Sequence, residues 1–520
     1  MSLFSDPRWG EALAHLPDYL GNHVRVSVTA LALGLLASLP LAIAARNRPV
    51  MRGALLGLAS IVQTVPGLAL LALFYPLLLA LAALSLSWFG FSFSAFGFLP
   101  AVLALALYSM LPVLRNTVTG LAGVNPSLRE AAYVIGADAW QSMRDIELPL
   151  AMPVIMAGVR TAAVWVIGTA TLSTPIGQTS LGNYIISGLQ TQNWVFVLFG
   201  CFAAALLALI VDQLLALMER GVALHSRNRV YAGAIGLLIV VLAALLPAYG
   251  RARADYAIGT KPFTEQYVLA ALIEQRLAAN GLSAARRDGL GSSVIFNALA
   301  ANEIDAYVDY SGTIWVNEMH QSGVKPRAEV LADVGRWLQE TKGVRLLGSL
   351  GFENAYALAM PRKKADALGI TSIADLAAHA PSLSIAGDYE FFERPEWKAL
   401  RDAYGLRFKA QRTMQSDFMY AAVANGDVDV VSAYTSDGRI AQYDLKVLSD
   451  PKQAIPPYDA ILLLSPRRAN DEKLIAALKP LIGAIPVDLM REANRRAGAG
   501  DAEGSPEVVA RWLAGRLGKP

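Results

Sequence analysis

The distribution of apolar residues divides the chain into two halves near residue 250. In the first half, uncharged runs long enough to cross a hydrocarbon core of about 30 Å alternate with short polar segments. In the second half, apolar runs are short and alternate with charged residues, which is typical of a soluble domain. Val230–Gly250 is the last uncharged run. It therefore joins a membrane-embedded half to a water-soluble half.

The uncharged runs predict about six membrane spans. Gly53–Leu114 has no charged residue or histidine and is too long for one helix, so we divide it at its Ser/Phe/Gly-rich stretch. The short segment before Pro66 predicts an interfacial or partly buried helix. Asp212 lies near the end of the fifth span, where we expect a snorkelling or interhelical role rather than a functional intramembrane acid. The predicted spans are Val26–Ala45, Pro66–Leu84, Phe98–Leu114, a run ending before Ser173, a run starting near Trp194, and Val230–Gly250.

Arginines near the span ends predict the orientation, because short cytoplasmic loops carry an excess of Lys and Arg. One set of loops holds nine arginines, whereas the loops near Trp88–Phe96 and Thr174–Asn193 hold none. The basic loops are therefore predicted to be cytoplasmic, and Val230–Gly250 is predicted to run outward. The basic set is Arg46, Arg48, Arg52, Arg115, Arg129, Arg144, Arg220, Arg227 and Arg229.

This orientation gives four expected parts. They are an N-terminal extracytoplasmic segment (1–22), a transmembrane domain (23–220), a final transmembrane helix (230–250) and an extracytoplasmic soluble domain (254–520). The first twenty residues lack the basic start and apolar centre of a cleavable signal peptide. We therefore expect the spans themselves to direct export of the soluble domain.

Composition narrows the classes of function. Hydrophobic residues make up 54% of the chain and charged residues only 17%, against about 25% charged in soluble domains. The net charge of +3 is too small to indicate a nucleic-acid partner. Cys201 is the only cysteine, so we expect neither a disulfide framework nor a thiolate metal site. The histidines show no catalytic spacing, and we expect no enzyme activity and no bound metal.

The polar segment Asn125–Pro149 predicts a helical hairpin between two spans. Asn125 is a favourable N-cap, and Pro126 suits the first turn of the helix that follows. Gly136 can end that helix in a left-handed conformation. Asp138 then caps a second short helix, which Pro149 is expected to stop. A small hairpin of this kind is suited to docking into a groove on a partner.

The hairpin resembles the EAA loop of importer-type ABC permeases, which docks on the ATPase subunit, at Glu130-Ala131-Ala132, at Gly136 and from Ile146 to Pro149. The wider run from Gly120 to Ala162 is similar to permeases for glycine betaine, choline and carnitine. The resemblance implies a permease homodimer and a separate ATPase chain that binds ATP; this chain has no G-x-x-x-x-G-K-[ST] motif and is expected to hold no cofactor. The coupling residues that the resemblance implies are Glu130, Ala131, Ala132 and Gly136, in a coupling loop predicted at 118–148.

Strand-like and helix-like runs alternate after residue 254, which indicates an α/β domain. Its length suits two lobes, with a ligand bound in the crevice between them. The motifs IGTKPFTEQ, LGFENAYALAM, EFFERPEW and IPPYDAILLL resemble osmoprotectant-binding proteins of the same transporters. The resemblance implies a type II two-lobe periplasmic binding protein fused to an α-helical permease of the bacterial inner membrane, as in importers of choline, betaine and ergothioneine.

A quaternary ammonium ligand has no N–H group, so aromatic faces must hold it. Four tyrosines lie at the loop-like ends of strand runs, and the resemblance implies that they form an aromatic cage. Tyr307 is an alternative to Tyr310, and each tyrosine considered alone is equally compatible with a structural role. The four are Tyr310, Tyr356, Tyr434 and Tyr458.

A zwitterionic ligand also needs donors for its carboxylate. Hydroxyl and amide side chains near predicted helix starts are candidates, because free N–H groups there favour anions. Ser and Thr at such positions are more often plain helix caps. The candidates are Thr264, Gln266, Ser292, Ser293, Thr313 and Arg394.

The sequence thus favours import of a quaternary-ammonium compound: glycine betaine, choline, carnitine or ergothioneine. One alternative is an importer of another small solute, such as an amino acid. A second alternative is a membrane ligand sensor, although a sensor needs fewer spans and a cytoplasmic output domain.

Overall fold

The computed structural model describes residues 6, 8–91, 93–190, 193–249, 254–321, 325–388, 391–414, 416–499 and 502–517. The chain divides into two compact units. The membrane unit comprises Met1–Gly188 and Val195–Arg253, and the soluble unit comprises Leu189–Trp194 and Ala254–Pro520.

Long helices build the membrane unit. Six helical stretches in the described residues are long and apolar enough to cross a membrane, which confirms the predicted number of spans. The short α2 lies where the sequence predicts a helix before Pro66. The α-helices are α1 (Arg8–Ala45), α2 (Pro49–Thr64), α3 (Gly67–Phe89), α4 (Phe98–Ala122), α5 (Pro126–Val134), α6 (Ala139–Ser142), α7 (Leu148–Ala170), α8 (Gly182–Gln190), α9 (Trp194–Ala223) and α10 (Arg227–Tyr249).

Several helices extend beyond their uncharged runs. Helix α1 continues through the boundary expected between residues 22 and 23, and α4 continues through Arg115. Arg115 and Arg220 therefore lie in helices rather than in loops. The reason is that a helix satisfies its own backbone hydrogen bonds in water and in lipid alike, so charge marks where lipid ends and not where the helix ends. Gly250, the predicted end of the last span, lies outside the described residues.

The prediction that Pro149 stops a helix is wrong. Helix α6 passes through a π-helical turn, Met143–Glu147, directly into α7, and Pro149 lies in the first turn of α7. The N–H of Leu148 bonds to the carbonyl of Met143, a spacing one residue longer than in an α-helix. A local π-helical adjustment of this kind satisfies the backbone groups that a proline leaves without partners, so the chain continues.

An ion pair joins α7 and α9. Arg160 lies in the middle of α7, and its Nη2 donates to Oδ2 of Asp212 on α9 at 2.8 Å. Arg160 Nη1 also lies 3.6 Å from Oε2 of Glu219, which follows Asp212 by about two turns of α9. Asp212 therefore has the interhelical role that was one of its two expected roles, and pairing offsets the cost of a charge within a membrane span.

The soluble unit consists of two lobes, each built on a five-stranded sheet. In the first lobe the order is β2-β1-β3-β10-β4, and in the second it is β7-β6-β8-β5-β9. Each sheet is parallel on one side and antiparallel on the other. The strands are β1 (Tyr256–Gly259), β2 (Ala284–Arg287), β3 (Ala306–Tyr310), β4 (Arg345–Glu353), β5 (Tyr356–Pro361), β6 (Ser384–Gly387), β7 (Ala410–Thr413), β8 (Val430–Tyr434), β9 (Leu445–Val447) and β10 (Asp459–Leu464).

Helices cover the sheets, as the alternating pattern predicts. All residues of β10 are buried, and a strand covered on both faces shows a continuous apolar run such as AILLL. The run EKLIAALKPLIGAI, which is helix-like in sequence, is α-helical only to Leu478, and a 3₁₀ turn that contains Pro480 follows. The helices are α11 (Thr264–Ala279), α12 (Ser292–Ala300), α13 (Ser311–Thr313), α14 (Arg327–Trp337), α15 (Arg362–Ala367), α16 (Ile373–His379), α17 (Pro395–Tyr404), α18 (Ser416–Asn425), α19 (Arg439–Gln442), α20 (Glu472–Leu478), α21 (Val487–Ala497) and α22 (Pro506–Arg516).

The chain passes between the lobes twice. It crosses from β4 to β5 through Asn354 and Ala355, and it returns just before β10 through Tyr458. The two crossings lie side by side, since the N–H of Asn354 donates to the carbonyl of Tyr458 at 2.9 Å. This double connection places the residues around Asn354 and Tyr458 at the junction of the lobes.

Candidate ligand-binding and coupling sites

Three of the four predicted cage tyrosines lie together at the junction of the lobes. Tyr356 begins β5 and Tyr434 ends β8, and the antiparallel register places them directly opposite each other. Their ring centroids are 5.0 Å apart at an interplanar angle of 43°. The ring of Tyr458 stands edge-on to Tyr356, with centroids 5.9 Å apart and planes at 86°. We call these three residues the tyrosine cluster.

The fourth tyrosine, Tyr310, has different neighbours. Its ring stacks on Phe263, with centroids 6.1 Å apart. Its hydroxyl donates to Glu265 Oε1 at 2.5 Å and accepts from Gln266 Nε2 at 3.1 Å. Tyr307, the alternative, is fully buried and donates to Asp309. The described residues therefore include no ring contact between either residue and the tyrosine cluster.

Acidic side chains accept hydrogen bonds from the tyrosine cluster. The Tyr434 hydroxyl donates to Asp388, and the Tyr458 hydroxyl donates to Glu396. Burial, with the nearby Tyr356 and Asp388, raises the pKa of Tyr434 well above its ordinary value, so its hydroxyl remains a donor. The carboxylates add negative potential at the hydroxyl ends of the rings, which favours a cation nearby.

Arg394 already uses one ring of the cluster as a cation-binding face. Its guanidinium carbon lies 5.1 Å from the centroid of Tyr356. Its Nη2 pairs with Glu396 Oε1 at 2.8 Å and donates to the Tyr458 hydroxyl at 3.1 Å. Arg394 is only 8% exposed. The ring of Tyr356 is thus oriented so that a cation fits against it.

A buried carboxylate links the two lobes beside this cluster. Glu265 on α11 accepts from Asn354 at 3.2 Å, from Ser436 of the second lobe at 2.6 Å and from Asn494 at 2.7 Å. Burial raises the pKa of Glu265, and its hydrogen-bond donors act against this rise. Glu265 therefore ties the first lobe, the crossing and the second lobe into one polar network.

The candidate carboxylate donors do not form one group. Thr264 begins α11 and Ser292 begins α12, and the two loops before these helices meet because Leu290 N donates to Thr260 O at 2.9 Å. Gln266 is buried and bonded to Tyr310, whereas Ser293 is exposed. Thr313 is buried at the end of α13. Only Arg394 contacts the tyrosine cluster among the six, judged on the described residues.

Sequence reasoning missed four residues of this region. Phe391, whose ring centroid lies 5.4 Å from that of Tyr356, and Glu396 lie in the motif EFFERPEW, from which the prediction included only Arg394. Glu265 lies between two predicted residues, Thr264 and Gln266. Asp388 directly follows β6. An acid at the carboxyl end of a parallel strand was the available signal, since ligands bind at that edge of an α/β sheet.

The caps and the turn of the predicted coupling loop form as its local signals predict, although Pro149 does not end the second helix. The Asn125 side chain caps α5, Gly136 has φ of 89°, and Asp138 forms a capping box with Gln141. Glu130 and Ala131 are exposed, whereas Ala132 is buried. Apolar side chains also face outward from the loop: Tyr133, Val134, Ile135 and Trp140 are all more than half exposed. A hairpin with exposed apolar residues is suited to docking on a partner.

Both halves of the chain match known families. The family described as "Binding-protein-dependent transport system inner membrane component" matches residues 31–224. The family described as "Substrate binding domain of ABC-type glycine betaine transport system" matches residues 254–515. The chain is therefore an inner-membrane permease that carries its own substrate-binding domain. It belongs to the ABC-type glycine betaine transport family, whose members transport solutes and are not enzymes.

Relatives match the chain over different lengths. The chain is 28% identical over 486 residues to "Ergothioneine transport permease/ergothioneine binding protein EgtU" of Helicobacter pylori, covering 90% of this chain and 84% of that protein. It is 41% identical over 202 residues to "Glycine betaine/carnitine/choline transport system permease protein OpuCB" of Bacillus subtilis, covering 39% of this chain and 86% of that protein. A solved structure, "Crystal structure of glycine betaine/carnitine/choline ABC transporter", is 27% identical with a TM-score of 0.46, and covers 50% of this chain and 98% of that one.

The family membership also gives the location. A permease with six apolar helices is a multi-pass protein of the inner membrane. The fused substrate-binding domain is extracytoplasmic in such importers. The expected location of the soluble half is therefore confirmed.

Proposed function

We propose that this chain imports a trimethylammonium compound: glycine betaine, choline, carnitine or ergothioneine. The observation that carries the proposal is the tyrosine cluster, in which three rings meet at the junction of the lobes and two of their hydroxyls donate to Asp388 and Glu396. Each desolvated aromatic face contributes about 0.5–2 kcal/mol to binding of a quaternary ammonium. The names of the relatives support the same class of ligand.

Arg394 is the best-placed donor for a ligand carboxylate. Its guanidinium lies against the ring of Tyr356, so a carboxylate two or three bonds from the ammonium group falls within its reach. Tyr310 takes part through Glu265, which joins the two lobes. Thr264, Gln266, Ser292, Ser293 and Thr313 remain proposed contributors from the first lobe.

Transport further requires a separate ATPase. In our proposal the exposed Glu130 and the hairpin turn at Gly136 meet that subunit, which binds and hydrolyses ATP. The soluble domain delivers ligand to a permease homodimer. Ala131 and Ala132 keep the hairpin thin, and Ala132 packs its buried side against the rest of the loop.

Calorimetry on the full chain in detergent tests the ligand class. We expect glycine betaine, choline, carnitine or ergothioneine to bind at least about tenfold more tightly than glycine, because a primary ammonium loses hydration that the rings cannot replace. Equal affinity for glycine betaine and glycine would contradict the proposal. Binding of glycine alone would indicate an amino-acid importer.

A further inference from the structure

A buried carboxylate connects the coupling loop to the membrane spans. Glu147 ends the π-helical turn between α6 and α7 and is only 2% exposed. A π-helical turn inside an α-helix is uncommon and occurs frequently at functional sites. The turn places the Glu147 side chain inside the loop, whereas Glu130 of the same loop is exposed.

Two arginines from different elements flank this carboxylate. Arg46 directly follows α1, and its Nη1 donates to Glu147 Oε1 at 3.1 Å. Arg129 belongs to α5, and its Nε lies 3.1 Å from Glu147 Oε2. Arg129 also donates from Nη2 to the carbonyl of Leu121 in the last turn of α4, at 2.7 Å. One carboxylate thus connects α5 with the cytoplasmic ends of α1, α4 and α7.

The two contacts differ in quality. The Arg46 contact is an aligned hydrogen bond. In the Arg129 contact both atoms are buried, yet neither Arg129 Nε nor Glu147 Oε2 has an aligned hydrogen bond in the described part of the chain. An ion pair of this kind keeps its charge attraction while the angle changes. The Arg129 contact therefore depends less on angle than the Arg46 contact does.

Packing alone does not require these charges. Apolar residues already fill the joint: Leu121, Val124 and Met143 form a core with Ala151 and Ile155, and Leu39 and Ile43 of α1 pack against it. Burying a carboxylate costs several kcal/mol unless it is paired, and removal of one partner of such a group leaves uncompensated charge. A directional link between elements that move relative to one another is a use for such a group that apolar packing does not supply.

We propose that Glu147 is a positioning residue that transmits movement of the coupling helix α5 to α1 and α7. This inference rests on the proposed function, since it assumes an ATPase that moves α5. When the ATPase shifts α5, Arg129 pulls on Glu147 while Arg46 holds the carboxylate to α1. Glu147 therefore governs how much transport each hydrolysed ATP produces.

The test uses the complete complex with its ATPase subunit in proteoliposomes. Glu147→Gln keeps the size and removes the charge. We expect the same yield of co-purified ATPase subunit, unchanged ligand affinity and ATP hydrolysis within about twofold, but about tenfold less ligand imported per ATP. Arg129→Gln should show the same loss, and Arg129→Lys should recover most of it because the charge remains.

Arg48→Gln provides the matched control, because Arg48 lies two residues from Arg46 and is exposed. This variant should import normally, whereas Arg46→Gln should resemble Glu147→Gln. Normal import per ATP by Glu147→Gln would overturn the inference. A parallel decrease in co-purified ATPase subunit, in melting temperature and in import would also overturn it, since that pattern indicates a purely structural role. A wild-type complex that imports no trimethylammonium compound would instead contradict the proposed function.

Discussion

Replacing Tyr434 separates a ligand-binding role of the tyrosine cluster from a structural one. The ring of Tyr434 lies 5.0 Å from that of Tyr356, and its hydroxyl donates to Asp388. Tyr434→Ala removes one aromatic face, which should weaken binding of a trimethylammonium ligand by about 1–2 kcal/mol, or about five- to thirtyfold. Tyr434→Phe keeps the face and removes only the hydroxyl, with its bonds to Asp388 and to the Tyr356 hydroxyl. It should therefore change affinity by less than about threefold.

Loss of the Tyr434 hydroxyl should instead lower the stability of the ligand-free protein. A hydrogen bond to a charged group contributes about 1.5–3 kcal/mol, and Asp388 keeps a second donor, Phe391 N at 2.8 Å. Tyr404→Phe is a matched control, because the Tyr404 hydroxyl also donates to a carboxylate, that of Asp450, and Tyr404 has no ring contact with the cluster among the described residues. Both Phe variants should lower the melting temperature, and Tyr404→Phe should do so at least as much, because the Tyr404 hydroxyl also accepts from Lys452 N at 2.7 Å.

The assay is calorimetry of the full chain in detergent with glycine betaine and choline, together with a melting curve without ligand. Tyr434→Ala should lose affinity for both compounds. If its affinity were unchanged, or if the Phe variant lost as much as the Ala variant, the aromatic face of Tyr434 would not bind the ammonium group. A fall in melting temperature without loss of affinity would show that Tyr434 is structural.

Three further predictions concern coupling, pH and orientation. Glu130→Ala should abolish uptake in cells while the purified chain keeps its ligand affinity, and normal uptake would contradict the assignment. Burial raises the pKa of Glu274 from 4.5 to about 7 despite Arg286 nearby. The folded protein therefore binds this proton more tightly than the unfolded chain does, and the resulting stabilisation is fully present below about pH 4.5 and is lost as the pH rises through about 7. The difference in melting temperature between the wild type and Glu274→Gln should therefore decrease as the pH rises from about 4.5 to about 7. A difference that does not change with pH would refute this prediction. A reporter active only in the cytoplasm should be inactive when fused after Pro520, and its activity there would reverse the orientation.

Local signals were sufficient for most of the architecture. Apolar runs long enough to cross lipid fixed the number of spans, because the bilayer imposes a length that sequence shows directly. The caps at Asn125 and Asp138 and the left-handed Gly136 act within a few residues, so the hairpin followed from them. Buried strands such as AILLL were evident because both faces of β10 are covered.

Contacts between distant segments required the tertiary structure. The sequence shows four tyrosines of equal standing, but strand register places Tyr356 opposite Tyr434, and the second crossing brings Tyr458 to them. Tyr310 ends a strand in the other lobe and bonds to Glu265 instead. Register depends on which strands pair and how, and that pairing is set by the packing of the whole lobe.

Charges that lie far apart in the chain show the same limit. Arg160 precedes an uncharged block, and only the packing of α7 on α9 pairs it with Asp212. Glu147 lies two residues before Pro149, where the sequence predicts the end of a helix. The helix instead continues through a π-helical turn, and the Glu147 carboxylate contacts Arg46 and Arg129. The sequence by itself therefore determined which segments cross the membrane, which cap and which form strands. Only tertiary structure decided which charged and aromatic side chains meet, because those contacts depend on the relative placement of segments that no local signal specifies.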